Sequence, residues 1–160
     1  MMAEKFVNMS ELKVAKGEEV LVTVGLGSCV GVAIYDKGRG VGGLAHVFLS
    51  ESKNETDVKQ PGKFADTAIP ALISAVTALG GRRSVLEAKI AGGANLFPKL
   101  ANSTLNVGKQ NVAAVKKHLA KHGIVLKGMA VEGNKGRKMT FYPKNGMVLV
   151  QSIGEKPEEI

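Results

Sequence analysis

Short runs of β-branched and apolar residues, separated by glycine-rich turns, make up the first third of the chain. Residues 19–24, 30–35 and 42–49 form three such runs, and each is predicted to be a strand because Val, Ile and Thr pack well on a pleated surface. Weaker alternation over residues 4–16 predicts an opening strand and turn at a sheet edge. The polar stretch 50–63 is predicted to be a loop.

Two later segments carry apolar residues at three- and four-residue spacing, which is the period of a helix with one buried face. The first spans residues 64–79 and is followed by two glycines. Pro70 lies inside it and removes a backbone hydrogen bond, so this helix is expected to begin near Asp66 or to kink at the proline. The second helix spans about 109–122, and Gly123 is its expected cap.

The remaining segments alternate between strand-like runs and turns. The glycine pair at 92–93 follows a strand-like run and marks either a sharp turn or the close approach of another group. Residues 154–160 are polar and are expected to form a frayed tail. Strands and two amphipathic helices in mixed order predict an α/β sandwich with a mixed or mostly antiparallel sheet. The further strands are predicted at 85–91, 124–131, 138–142 and 147–150.

Length and composition fit one globular domain. A chain of 160 residues with 44% hydrophobic content is long enough to bury a core, so we expect a single domain over residues 1–160 with an ordered core at about 4–152. No apolar run approaches the roughly 20 residues of a membrane-spanning helix, and the start of the chain lacks a secretory pattern. We therefore expect no membrane insertion and a cytoplasmic location, with which a single unpaired cysteine agrees.

The charge balance bears on partners rather than on the fold. A formal net charge of +8 predicts either an acidic partner or a solvated basic face. Nucleic acid is not expected as that partner, because the chain has no Trp and its five Phe and two Tyr residues are scattered rather than interleaved with basic ones.

The only cysteine, Cys29, lies in a glycine-rich bend between two predicted strands. A lone cysteine is either a small buried hydrophobic residue or a reactive thiol, and reactivity requires a nearby base or cation. His46 follows 17 residues later, in the predicted strand 42–49, whereas Cys29 directly precedes the predicted strand 30–35. This separation fits two adjacent strands joined by a turn. Thr23 or, as the charged alternative, Asp36 could accept the other ring N–H of this histidine and fix its tautomer.

The same bend supplies backbone N–H groups. In the segment Gly27-Ser28-Cys29, the N–H groups of Cys29 and Ser28 are freed from strand pairing and could stabilise the oxygen of a tetrahedral intermediate. Taken alone, these residues leave both a catalytic and a structural cysteine open.

Several segments together resemble the CheD family of chemoreceptor glutamine deamidases. They are Thr23–Cys29, Gly42–His46 and Ala88–Phe97, and the likeness extends over about residues 5–150. This chain departs from the common family pattern in three places. The sequence Val47–Ser50 lacks a methionine and a proline, Gln110 replaces an arginine, and Glu132 replaces the first of two glycines.

The resemblance implies hydrolysis of the side-chain amides of selected glutamines on methyl-accepting chemotaxis receptors, giving glutamate and ammonia through a cysteine thioester. The positions that match the family's catalytic set are Cys29, His46 and Thr23. No metal and no cofactor are implied. The implied fold is a three-layer α/β/α sandwich related to glutamine-deamidating toxin domains. The implied partners are the receptors and a CheC-type phosphatase, and the protein is expected to be a monomer or a heterodimer.

Two alternatives stay open. One is a non-catalytic basic interaction module that binds chemoreceptors or the phosphatase. The other is a zinc site at His118 and His122, which lie one helical turn apart at metal-ligand spacing. Because no third ligand is evident, these histidines are expected to face solvent on the second helix.

Overall fold

Two five-stranded sheets and two α-helices form the part of the chain that the computed structural model describes, residues 3–53, 59–97 and 106–160. The helices are α1 (Ala65–Ala78) and α2 (Val107–Lys121), and short 3-10 turns cover Pro61–Lys63 and Arg83–Val85. The strands, in chain order, are β1 (Glu4–Phe6), β2 (Leu12–Lys16), β3 (Val20–Leu26), β4 (Val30–Asp36), β5 (Val41–Val47), β6 (Glu87–Gly92), β7 (Val125–Val131), β8 (Arg137–Tyr142), β9 (Met147–Ser152) and β10 (Glu158–Glu159).

Each sheet is mixed, with one parallel pair and otherwise antiparallel pairs. The first, which we call the central sheet, has the order β2-β5-β4-β6-β7, and β6 and β7 are its parallel pair. The second, the outer sheet, has the order β1-β3-β8-β9-β10, and β1 and β3 are parallel. The predicted opening strand is thus two strands, each at the edge of a different sheet.

The central sheet lies between the helices and the outer sheet. On β4, Val32 and Ile34 pack with the helices, whereas Ala33 and Tyr35 pack in a second core with the outer sheet. This alternation follows from the period of two in a strand. The predicted α/β class and mixed sheets are confirmed. The layers are helix, sheet and sheet rather than α/β/α, because both described helices cover one face and strands from the two chain ends cover the other.

Both predicted helices are present. The first begins at Ala65, next to the predicted Asp66, and continues through Pro70. The second begins at Val107, where the Asn106 side chain accepts a hydrogen bond from the N–H of Lys109 at 3.0 Å. No helix within the described ranges is long and apolar enough to cross a bilayer.

The chain end is not a frayed tail, and this prediction was wrong. Strand β10 pairs antiparallel with β9, and the N–H of Ile160 donates to the carbonyl of Val148 at 3.1 Å. The side chain of Ile160 also packs against the core between the two sheets. The ordered core therefore extends past residue 152, because main-chain pairing at a sheet edge needs no hydrophobic pattern. Of the predicted loop at 50–63, residues 54–58 lie outside the described residues.

The glycine pair at the end of β6, Gly92 and Gly93, marks a close approach of another group, which is one of the two predictions made from the sequence. Gly92 has a φ of +114°, and a Cβ there would lie 2.2 Å from the carbonyl oxygen of Cys29. The N–H of Gly93 donates to that same oxygen at 2.8 Å. The missing side chain at Gly92 therefore lets the end of β6 pack directly on the backbone of the cysteine.

Glu132, which replaces a glycine of the common family pattern, adopts a backbone conformation that favours glycine. Glu132 and Gly133 have φ values of +67° and +71°, in the left-handed region. The N–H of Glu132 donates to the carbonyl of Gly92 at 2.9 Å, and the carbonyl of Gly133 accepts from Asn95 at 2.9 Å. These two bonds hold the glutamate in its disfavoured conformation and tie the turn to the segment beside Cys29.

We expect Gly92→Ala to destabilise the fold more than Gly80→Ala. Gly80 has almost the same φ, +115°, but a Cβ there meets nothing within 4 Å, so it isolates the backbone strain. Gly80→Ala should lower the free energy of unfolding by about 1–2 kcal/mol. Gly92→Ala adds a clash with backbone and should lower it by about 3–5 kcal/mol in urea denaturation. Equal losses for the two variants would contradict the close approach.

Candidate active site

His46 projects from the central sheet into the space between the two sheets. Along β5, Leu44 packs toward the outer sheet, and Ala45 and Val47 pack toward the helices, so His46 shares the face of Leu44. The histidine is 2% exposed. Its partner on β4 is Gly31, and a Cβ there would lie 2.6 Å from Met139 Sδ and 3.5 Å from Thr23 Cγ2.

A hydroxyl group determines the tautomer of this histidine. Thr23 Oγ1 lies 2.7 Å from His46 Nδ1 and 2.7 Å from the carbonyl oxygen of Val7. A carbonyl can only accept, so the single hydroxyl hydrogen of Thr23 is directed to Val7, and Oγ1 must accept from Nδ1–H. The ring is therefore protonated on Nδ1, and its Nε2 carries a lone pair.

The other ring nitrogen has no hydrogen-bond partner among the described residues. His46 Nε2 is buried and unsatisfied. A buried polar atom without a partner is rare and often marks a functional group. Nε2 is thus available to accept a proton from a thiol or a water molecule.

Cys29 lies on the same face of the central sheet as His46. It directly precedes β4 and belongs to the core between the two sheets. Because Gly31 pairs with His46, extending the register by two residues places Cys29 diagonally across from the histidine. Diagonal neighbours of this kind have Cβ atoms about 7 Å apart, within reach of a ring. His46 lies on β5, and Cys29 lies in the bend that directly precedes the adjacent strand β4.

Burial keeps both groups neutral. It raises the pKa of the Cys29 thiol above its usual value of 9.0, and the residue's own N–H opposes this only in part. Burial also lowers the pKa of His46 below 6.5. Since desolvation disfavours the charged form of each group, thiol and imidazole are both neutral at pH 7, and among the described residues no hydrogen bond joins them.

The bend before Cys29 is held by backbone hydrogen bonds. Gly25 has a φ of +68°, and the N–H of Gly27 donates to its carbonyl at 3.0 Å. The carbonyl of Gly27 accepts from Ala94 at 2.8 Å. Gly27 therefore shapes the bend. Within the described part of the chain, the N–H groups of Ser28 and Cys29 donate to no backbone carbonyl, so they are the candidates for an oxyanion.

Comparison with known proteins identifies the family. A model of the CheD family, described as CheD chemotactic sensory transduction, matches residues 48–152. The chain belongs to the CheD family. It is 43% identical over 155 residues to a probable chemoreceptor glutamine deamidase CheD of Clostridium kluyveri, covering 96% of each chain.

Two further relatives carry the same name. That of Desulforamulus reducens is 44% identical over 153 residues, covering 95% of this chain and 92% of the relative. That of Methanococcus maripaludis is 44% identical over 149 residues, covering 93% of this chain and 95% of the relative. The alignments span nearly the whole chain, so they also include the bend and β5, which lie before the residues that the family model matches.

Asp36, the charged alternative to Thr23, lies at the far end of β4. Its carboxylate accepts from Arg82 Nε at 2.9 Å and from Nη2 at 3.0 Å. The hydrogen bond from the Arg82 side chain is the main cause that lowers the pKa of Asp36. This carboxylate braces the turn and the segment after α1, and Thr23 alone of the two contacts the histidine in this CheD chain.

Two groups at the site were missed by sequence reasoning. The carbonyl of Val7 orients Thr23, but a backbone atom leaves no signature in a sequence. Asn111 donates from Nδ2 to the carbonyl oxygens of Ser28 and Phe48, each at 3.0 Å. The sequence does contain a signal for Asn111, because this polar residue interrupts the apolar face of α2.

His118 of α2 is buried, whereas His122, the residue directly after α2, is half-buried. His118 was expected to face solvent, and this was wrong, because it is 6% exposed and its Nε2 lies 3.0 Å from Glu51 Oε1. The contact joins α2 to the segment after β5. No group of three or more metal-ligating side chains was found within the described ranges.

Two pockets have residues of the bend among those that line them. One, of about 270 Å³, is lined by Ser28, Asn95 and Val107 and by the exposed side chains of Leu96 and Phe97. The other, of about 250 Å³, is lined by Gly25, Arg137 and the exposed Ile153, among others. The surface around the cysteine is thus apolar at several points, whereas the catalytic candidates themselves are buried.

We expect the thiolate of Cys29 to form only at high pH. Because burial raises its pKa, the ultraviolet absorbance of the thiolate, measured as wild type minus Cys29→Ser, should rise with an inflection above pH 9.0. The same difference measured in denaturing urea is the control and should titrate near the usual value, since burial is then lost. An inflection in the folded protein well below the urea value would contradict a neutral resting pair.

Proposed function

We propose that this chain is a protein-glutamine deamidase that hydrolyses the side-chain amides of selected glutamines on methyl-accepting chemotaxis receptors. The relatives of 41–44% identity bear the name chemoreceptor glutamine deamidase. The observation that carries the proposal is the bond between Thr23 and His46, which leaves Nε2 as a free base on the face that holds Cys29.

In the first step, His46 Nε2 takes the proton of the Cys29 thiol as the sulfur attacks the amide carbon of the glutamine. A sulfur–carbon bond forms and the carbonyl electrons move to its oxygen. The N–H groups of Cys29 and Ser28 donate to that oxygen. Because thiol and imidazole are both neutral at rest, His46 acts as a general base at the moment of attack.

In the second step, the carbon–nitrogen bond breaks and protonated His46 gives its proton to the leaving nitrogen. Ammonia leaves and a thioester on Cys29 remains. Nε2 then takes a proton from water, which attacks the thioester carbon, and the returning proton goes to the sulfur as glutamate leaves. Thr23 stabilises the imidazolium of each step by accepting from Nδ1–H.

The surface around the bend suits a protein substrate. Exposed apolar side chains, among them Leu96, Phe97 and Ile153, border the two pockets beside it. We infer that these side chains form part of the contact with the receptor. A glutamine side chain entering beside Ser28 would reach the thiol while its protein backbone rests on these residues.

Three further properties belong to the proposal. An unpaired thiol persists in a reducing compartment, so we place the enzyme in the cytoplasm. The CheC-type phosphatase as partner, and a monomer or heterodimer as the assembly, stay predictions from the family resemblance. The relation to glutamine-deamidating toxin domains stays a prediction from the family resemblance as well. The alternative function, a non-catalytic basic interaction module, is favoured only by the net charge of +8.

We expect Cys29→Ala to lower the rate of ammonia release from a purified receptor fragment by about a thousandfold or more, because it removes the proposed nucleophile. Thr23→Val keeps the shape but removes the oxygen that fixes the tautomer, and should lower kcat by about a hundredfold or more. Thr23→Ser is the matched control, because it keeps the hydroxyl, and should retain most activity.

Failure of the proposal has a distinct signature. If wild type releases no ammonia from any cognate receptor fragment under reducing conditions, while wild type and Cys29→Ala bind that fragment equally, the chain is the interaction module. If Cys29→Ala releases ammonia at the wild-type rate, the cysteine is structural.

A further inference from the structure

Asn111 is the only buried amide side chain among the described residues, and all of its polar atoms are paired. It is 0% exposed on the inward face of α2. Its Nδ2 donates to the carbonyl oxygens of Ser28 and Phe48, each at 3.0 Å, and its Oδ1 accepts from Ser50 Oγ at 2.9 Å. A carboxamide has two N–H donors, and both are used on two separate segments of backbone.

These two segments carry the proposed nucleophile and base. Ser28 directly precedes Cys29, and Phe48 follows His46 by two residues. Neither segment is joined to the other by strand pairing at that point, because the ladder between β4 and β5 ends at Val30 and Val47. The Asn111 side chain takes over where the ladder stops, and so it sets the separation of the two segments.

The clamp also fixes the peptide that links Ser28 to Cys29. This peptide is trans, so its carbonyl and its N–H point in opposite directions. With the carbonyl held by Asn111, the N–H of Cys29 is directed away from α2.

The orientation of the carboxamide is set by the two carbonyl oxygens of Ser28 and Phe48, because a carbonyl only accepts. The hydroxyl of Ser50 donates to Oδ1, which leaves the NH₂ group facing the two carbonyl oxygens. A reversed amide would place its oxygen against both carbonyl oxygens and lose these two bonds, while the Ser50 hydroxyl could accept from the NH₂ group instead. The clamp therefore has one stable arrangement.

We propose that Asn111 is a positioning residue of the deamidase site, which holds the Cys29 peptide and the end of β5 in the geometry that the reaction requires. Asn111 does not touch the reacting atoms and acts through Ser28 and Phe48. The inference rests on the proposed function and adds to it a residue on α2, a different element from those that bear the catalytic candidates.

The test compares Asn111→Asp and Asn111→Ala with Gln110→Ala, an exposed neighbour on the same helix. Asn111→Asp keeps the shape but replaces the donor with an oxygen, so the two carbonyls lose their partner. Steady-state ammonia release should show kcat lowered by about a hundredfold in both Asn111 variants, with KM changed by less than about threefold. Gln110→Ala should match wild type in both constants.

A second measurement on wild type keeps the inference testable if the variants do not fold. Scalar couplings across hydrogen bonds should be seen by NMR from Asn111 Nδ2 to the carbonyl carbons of Ser28 and Phe48. Absence of both couplings would overturn the inference. So would a folded Asn111 variant with wild-type kcat, or one in which only KM rises. Failure of the proposed function has a separate readout, which is ammonia release by Cys29→Ala at the wild-type rate.

Discussion

The hydrogen bond from the Thr23 hydroxyl to the carbonyl oxygen of Val7 is the constraint on which the proposed chemistry of this protein depends. It uses the single hydroxyl hydrogen of Thr23, so the Oγ1 atom can offer His46 only a lone pair. Val7 is itself held in place, since its N–H donates to Val22 at 2.8 Å directly after β1. A short parallel strand at a sheet edge thereby decides which nitrogen of a buried histidine is basic.

The layered fold brings these groups together from distant parts of the chain. The outer sheet supplies Thr23, and the central sheet supplies His46 and Cys29. Glycine allows the approach, because a side chain at Gly31 would meet Met139 Sδ at 2.6 Å, and one at Gly92 would meet the cysteine backbone. The helix layer adds Asn111 from the opposite face. The site thus lies where all three layers converge on one bend.

Much of this could be predicted from sequence, because strand and helix periodicity is local. The 17-residue spacing fitted adjacent strands, although Cys29 itself lies in the bend before β4, and the family pattern named Thr23. The layer order was not predictable, because periodicity tells which face of an element is buried but not what covers it. Val7 acts through its backbone, and β10 pairs through its backbone, so neither leaves a side-chain signal.

The central claim is that His46 is a neutral base with its proton on Nδ1 and a free Nε2. Nitrogen-15 NMR of the histidine rings, with His46→Gln to assign the signals, tests it directly. At pH above the lowered pKa of His46, we expect Nδ1 to show the shift of a protonated ring nitrogen and Nε2 that of an unprotonated one, and Thr23→Val should abolish this preference. A proton found on Nε2, or a doubly protonated ring at neutral pH, would contradict the account.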